Sequence, residues 1–275
     1  MVDLHTHSRA SDGAFTPSEL VARAAAEGLV AIALTDHDSV EGLAEGAEAA
    51  GKAGIRFVAG VEVEIAWAPG EFHLLGLDLR DPGGAVAGEA AGLAASRDER
   101  NRRVFALLRE AGFDADYEGL RAVAGTGLIG RPHIAELMVA RGYARSKQDA
   151  FDRYLAKGRP FYLPKDCLPL ERALEVIRES GGLSIVAHPL SLFVSWTRMR
   201  SLMTEWKDMG VDGIEAWHPI ARVADCVRLE DMGRAAGLRV TAGSDFHGPS
   251  RPDRRLGRTA GGRVIDDCYL ESLAR

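Results

Sequence analysis

Apolar and polar positions change period several times along the 275-residue chain, and each change marks an element. Val2 and Leu4 alternate with polar neighbours, which predicts a short strand with an apolar face in a core and with His5 and His7 at its end. Thr16-Pro17-Ser18-Glu19 has the form of a capping box with proline at the first helical position, so a helix is expected to Glu27, stopped by Gly28. The nearly continuous apolar run from Val30 to Leu34 reads as a strand buried on both faces, with Thr35-Asp36-His37-Asp38 at its C-terminal end. Ser39 is a candidate cap for the next helix, to about Ala50. Arg56 to Ile65 alternates as a third strand, setting Glu62 and Glu64 on the face opposite Val61 and Val63. Phe72 to Leu77 is a fourth and carries His73.

The strand and helix alternation then lapses. Asp81-Pro82-Gly83-Gly84 is a turn cluster, and helical patterns follow from about Ala87 to Ala111, from Pro132 to Arg141, and from the Ser146 cap to about Lys157. We expect a helical insertion at 81–166 that interrupts a domain made of 1–80 and 167–275. Alternation resumes with a helix near Leu170 to Glu179 and a buried strand from Leu183 to Ala187 ending in His188-Pro189. A helix near Thr197 to Met209 leads to a strand from Gly213 to Trp217 ending in His218. A helix to about Ala236 and a strand from Arg239 to Ala242 deliver Ser244-Asp245-Phe246-His247, and a short helix follows Val264. Such alternation predicts an α/β fold of about seven strands, and the length suits one α/β barrel or two smaller domains.

Composition narrows the class. With 46% hydrophobic and 27% charged residues, the chain is ordinary for a globular protein, and no run approaches the roughly 20 apolar residues that span a bilayer. The beginning lacks a basic segment followed by an apolar one, so no export signal is expected and the cytoplasm is the default location. Cys167, Cys226 and Cys268 are odd in number and far apart, which suits reduced thiols. A net charge of −6 argues against coating long duplex nucleic acid but not against a small anionic ligand.

Chemistry enters through the histidines. Seven of the eight fall at or just past a predicted strand end, as His5/His7, His37, His73, His188, His218 and His247, joined there by Asp36, Glu62 and Asp245. In a parallel βα barrel the C-terminal strand ends share one mouth, where active sites sit. Two histidines at i and i+2 on a strand project the same way, and Asp12 five residues on can fold back with an oxygen. A metal cluster is therefore expected, against the plainer reading of edge histidines and a turn aspartate. The sequence shows neither a P-loop nor a Gly-x-Ser-x-Gly elbow, which weakens nucleoside triphosphate and serine hydrolase readings.

His5-Thr6-His7 with Asp12-Gly13, Thr35-Asp36-His37-Asp38, Gly60-Val61-Glu62, Ala187-His188-Pro189 and Ser244-Asp245-Phe246-His247 resemble, in order, the motifs of the polymerase and histidinol phosphatase (PHP) superfamily of metal-dependent phosphoesterases. The insertion, with Arg97-x-x-Arg100-Asn101, Gly130-Arg131-Pro132-His133 and Gly158-Arg159-Pro160, resembles the branch containing nucleoside 3′,5′-bisphosphate phosphatases and 5′-end RNA exonucleases. The resemblance implies a distorted seven-stranded βα barrel holding up to three divalent ions. It assigns His5, His7, Glu62 and Asp245 to the first, Glu62, His73 and His188 to the second, and Asp12, His37 and His247 to the third. Manganese is the expected metal, with zinc or iron(II) as alternatives, because imidazole and carboxylate donors without thiolate suit all three.

The expected reaction is removal of the 3′-phosphate from a nucleoside 3′,5′-bisphosphate by metal-activated hydroxide. Rivals are 5′-to-3′ exonuclease action on short RNA, a histidinol phosphate type of phosphatase, and a metal-binding regulatory domain without turnover. Asp36 and Asp38 are candidates to orient ligand imidazoles, with Asp38 alternatively a helix-start residue. His218 is a candidate to protonate the leaving oxygen or to bind phosphate. Arg100, Asn101, Arg131 and His133 are expected to line a lid-like pocket for the nucleotide, because guanidinium forks match phosphate oxygens.

Overall fold

A computed structural model describes residues 1–124 and 128–274, with the side chain of Ala124 left aside. Two compact units emerge, Met1–Ala90 with Cys167–Arg275, and Ala91–Asp166. The first is a seven-stranded sheet rolled into a nearly closed barrel. Its strands are β1 (Val2–Asp3), β2 (Ala31–Leu34), β3 (Arg56–Ile65), β4 (Phe72–Leu77), β5 (Leu183–Val186), β6 (Gly213–Trp217) and β7 (Arg239–Ala242), neighbours in that order. The isolated bridge Thr6–Phe246 and the bond from Asp245 N to His5 O (2.8 Å) draw the first and last segments together.

The sheet is mixed, which corrects the expectation that every ligand strand ends at the mouth. β1 to β3 are parallel, as are β5 to β7, but β4 runs antiparallel to both neighbours. His73 therefore stands at the N-terminal end of β4, and the reversal brings that end to the mouth. Hydrophobic alternation carries no information about strand direction, so the sequence pattern could not show this.

Helices α1 (Pro17–Ala26), α2 (Leu43–Ala53), α7 (Leu170–Glu179), α8 (Trp196–Met209), α9 (Val223–Ala235) and the short α10 (Cys268–Glu271) belong to the barrel unit. The capping box forms as the sequence requires, with Thr16 Oγ1 accepting from Glu19 N and Glu19 Oε2 accepting from Thr16 N. Ser39 does not cap α2, which starts four residues later behind Gly42. β2, β5 and β6 are buried along their whole length, the result of packing on both faces, and Ser184 and Glu215 are the polar residues in β5 and β6. Leu4, Ala33, Val58, Leu75, Leu77, Leu183, Ile185 and Leu273 form one core cluster. Glu62 pairs in register with Leu75 and lies four residues beyond Val58, so a period of two places it on this cluster's face.

The second unit holds the rest of α3 (Ala85–Glu110), then α4 (Tyr117–Ala124), α5 (Arg131–Ala140), α6 (Lys147–Ala150) and a π-turn at Phe151–Leu155. Phe105, Leu108, Tyr117, Ile134, Met138 and Phe161 lie in its own core. α4 was not expected from the sequence, and the helix expected to run unbroken to about Lys157 changes to the wider winding at Phe151. Cys167, Cys226 and Cys268 form no disulfide among the described residues. Among the described residues, no helix is long and apolar enough to cross a membrane.

Candidate metal centre

Most ligand candidates follow shortly after a strand, while Glu62 and His73 lie within β3 and β4, and several of the turns are strained. Asp38, His188 and Asp245 have φ of 47°, 27° and 51°, left-handed values that cost non-glycine residues about 1–3 kcal/mol each. At Gly13 a Cβ would lie 2.3 Å from His7 O, so only glycine lets the chain turn tightly enough to bring Asp12 back over His7.

The nitrogens and oxygens converge. His5 Nε2 and His7 Nε2 are 3.1 Å apart, and both face Glu62 Oε2, at 3.4 and 3.3 Å, and Asp245 Oδ1, at 3.6 and 3.1 Å. The other Glu62 oxygen, Oε1, lies 2.8 Å from His73 Nδ1 and 3.1 Å from His188 Nε2. Asp12 Oδ1 is 3.1 Å from His247 Nε2 and 3.9 Å from His37 Nε2. Donors about 2.1 Å from one ion stand roughly 3.0–3.4 Å apart at octahedral or tetrahedral angles, and most of these separations fall in that range. Three groups, His5/His7/Asp245, His7/Asp12/His37/His247 and His37/Glu62/His73, each place their ligand atoms within 4.8 Å of one another.

Tautomers sharpen the case. His247 Nδ1 donates to the carbonyl of Asp245 (2.8 Å), so in the neutral ring Nε2 presents a lone pair to the Asp12 carboxylate. Two electron-rich atoms face each other at 3.1 Å, an arrangement that a cation between them makes favourable. Neither atom has a hydrogen-bond partner, and Glu62 Oε2 and His7 Nδ1 are also buried without one. Buried polar atoms are rarely left in this state. His5 Nδ1 donates to Glu215 Oε1 (3.0 Å) and His188 Nδ1 to Ser191 Oγ (3.0 Å), leaving each Nε2 turned toward Glu62. The residues present fit divalent metal ions.

The charges agree. Burial alone would push Asp12, Glu62 and Asp245 up, but the surrounding imidazoles outweigh it and hold all three carboxyls well below their ordinary range. Burial likewise disfavours charge on His5 and His73, yet Glu215 and Glu62 beside the first and Glu62 beside the second prevail. His73 is raised to about 10, so protons occupy places that suit cations.

His218 reaches the same mouth. Its Nδ1 accepts from Ile220 N (3.2 Å), which leaves the neutral ring's proton on Nε2, 3.2 Å from Asp245 Oδ2. Asp36 is placed differently from expectation. Its oxygens accept from Ser8 N, Ser8 Oγ and Ser11 Oγ at 2.8, 2.6 and 2.6 Å, so it anchors the loop between His7 and Asp12. An orienting bond from Asp36 to an imidazole is not part of that arrangement, because the nearer serines take both oxygens.

In the helical unit, buried Asn101 donates from Nδ2 to Ile129 O (2.8 Å) and accepts at Oδ1 from Arg100 Nη2 (2.6 Å). This joins 100–101 to the start of α5, where Arg131 lies over the Tyr162 ring and His133 Nδ1 accepts from Gly130 N. Arg102 is engaged with Asp98 and Glu118 on the surface.

Sequence reading passed over several residues that position the site. Glu215 bonds to His5 and also accepts from His188 N (2.9 Å), tying β1 to β5. Its signal was a single carboxylate inside an otherwise apolar strand. Asp3, pushed up to about 6 by burial, accepts from Ser244 N and Gly257 N and joins the two chain ends. A Cβ on Gly243 would meet His5 Cβ at 2.3 Å and Glu215 Oε1 at 2.5 Å, which explains the glycine there. Glu215→Gln keeps the shape and weakens the hold on His5, so metal affinity should fall about 10- to 100-fold, as for other carboxylates behind ligand imidazoles. Titration of the chelated variant with metal checks this, and an affinity equal to the parent's would show that Glu215 does not position His5.

Barrel and donor set together define a metal-dependent hydrolase. A protein-family model described as the PHP domain matches residues 3–156. The chain is 36% identical over 265 residues to the 3′,5′-nucleoside bisphosphate phosphatase of Chromobacterium violaceum, covering 94% of this chain and 91% of that protein. It is 34% identical over 254 residues to a 5′-3′ exoribonuclease of Haemophilus influenzae, covering 90% of each. An amidohydrolase structure from Chromobacterium violaceum with bound sulfate and no metal superposes with a TM-score of 0.85 at 33% identity, covering 100% of this chain and 97% of that one. The chain belongs to the PHP family and is a metal-dependent phosphoesterase.

Proposed function

We propose that this enzyme removes the 3′-phosphate from nucleoside 3′,5′-bisphosphates. The observation that carries the reading is the sharing of Glu62, whose two oxygens serve donor groups on either side of one buried mouth. We assign His5, His7, Glu62 and Asp245 to one ion, Glu62, His73 and His188 to a second, and Asp12, His37 and His247 to a third, with manganese as the metal. Bound divalent ions supply a nucleophile at neutral pH and offset charge building on phosphoryl oxygens. Glu62 fixes the spacing of the two groups it joins. Asp36 holds the loop that presents Asp12. His218, whose Nδ1 accepts from Ile220 N, presents its Nε2–H as a hydrogen-bond donor to a phosphoryl oxygen.

We assign recognition of the second phosphate to Arg100, Asn101, Arg131 and His133, on the chemistry of paired guanidinium groups. Likeness to a bisphosphate phosphatase supports this substrate, and likeness to exoribonucleases supports a second reading, hydrolysis of short RNA from its 5′ end. One assay separates them. With manganese present, adenosine 3′,5′-bisphosphate should release inorganic phosphate, at a rate at least about tenfold above release of mononucleotide from a 5′-phosphorylated oligoribonucleotide. The opposite order favours the exonuclease, and turnover of neither sinks the nucleotide assignment.

A further inference from the structure

The loop after β7 brings two permanent positive charges to the metal centre's carboxylates. Arg254 Nη1 donates to Asp245 Oδ2 and lies 3.3 Å from the Asp245 carbonyl. Arg251 stands farther out, with Nη1 3.6 Å from Asp245 Oδ2 and Nη2 3.9 Å from Asp12 Oδ2. Their side chains are 12% and 35% exposed, so one guanidinium lies inside the mouth and the other at its rim.

The loop is built to hold them there. Arg251 N bonds to Gly248 O and Arg254 N to Arg251 O, both at 3.1 Å, so two successive turns carry the pair. Gly248 (φ 88°) packs so closely on the turn beyond Asp12 that a Cβ would lie 2.7 Å from Ala14 Cβ, and Ala14 N bonds to His247 O at 2.9 Å. Loop and Asp12 turn are thus fastened together beside the ligands.

A phosphoryl dianion approaching this mouth meets Asp12, Glu62, Asp245 and Glu215. Guanidinium keeps its charge at every working pH and carries five N–H donors, and one contact with Asp245 does not exhaust them. We propose that Arg254 and Arg251 form an anion clamp that binds the phosphoryl group being transferred, Arg254 from inside the mouth and Arg251 from its rim. The clamp rests on the phosphatase reading and names residues of this chain that serve it.

Equilibrium binding of inorganic phosphate to protein saturated with Mn²⁺ tests the clamp. The double variant Arg251→Ala/Arg254→Ala should bind phosphate at least about tenfold more weakly, with KM raised by a similar factor, because charge-assisted hydrogen bonds are lost. Arg254→Lys should recover part of the loss. Phosphate affinity within twofold of the parent's at equal metal content would overturn the clamp. Should Arg254→Ala fail to fold or to fill with metal, Arg251→Ala decides alone, since its contacts with the carboxylates are long: weaker phosphate binding upholds the clamp, and unchanged binding overturns it. A parent protein that neither binds phosphate nor hydrolyses a phosphomonoester would refute the phosphatase reading itself. A parent that turns over normally beside unaffected variants refutes only the clamp.

Discussion

Glu62→Gln should lower kcat/KM by about 10³-fold or more, roughly 4 kcal/mol of transition-state stabilisation. Nothing about volume changes, so the loss isolates charge and ligation. Oε2 faces His5, His7 and His37, the last at 2.9 Å from Nδ1, while Oε1 faces His73 and His188. An amide keeps one acceptor and turns an NH₂ group on the other set. That group cannot ligate a cation, and the cluster also loses a negative charge that balances metal. Metal content measured after dialysis should fall together with turnover. A variant keeping a tenth of parental activity and its full metal complement would show that Glu62 does not join two sites.

Much of this centre could be read from the chain because each donor sits in a short motif next to an apolar strand. His5 and His7 need only period two, and Asp12 needs only the glycine behind it. Arg56–Ile65, Phe72–Leu77, Leu170–Glu179, Gly213–Trp217 and Arg239–Ala242 were expected with the bounds they have in the structure. What stayed hidden depends on partners distant in sequence. β4 alternates in the same way whichever direction it runs, so its reversal is settled by pairing with β3 and β5. Asp36 looked like an imidazole partner because His37 adjoins it, yet two serines more than 20 residues away reach it first. Glu215 is a lone carboxylate in an otherwise apolar strand, and its purpose shows only when His5 is seen behind it. Arg251 and Arg254 lie in a loop rich in arginine and proline, where charge density alone reads as solvated surface.

Removing metal should silence the enzyme and also change how its stability responds to alkali. Chelated protein should lose turnover by at least about 10³-fold and regain it with Mn²⁺. Folded, metal-free chain holds protons on His5 and His73, the latter up to about 10, that an unfolded chain with imidazoles near 6.5 gives up. Stability from a raised group is complete below the unfolded value and lost as pH climbs toward the folded one, at up to about 1.4 kcal/mol per pH unit per proton. His7 and His188, lowered chiefly by burial, act in the opposite sense, but only up to the region near 6.5 where the unfolded chain still titrates. Above about pH 7.5 the raised pair therefore governs, and the Tm of chelated protein should fall as pH rises. Divalent ions displace the same protons, so loaded protein lacks this alkaline loss and the Tm gap between the two states should widen from about pH 7.5 to 9.5. Thermal scans across that range, with chelator and then with Mn²⁺, measure the gap directly. Parallel profiles, or turnover that survives exhaustive chelation, would mean that these imidazoles and carboxylates do not hold the catalytic metal.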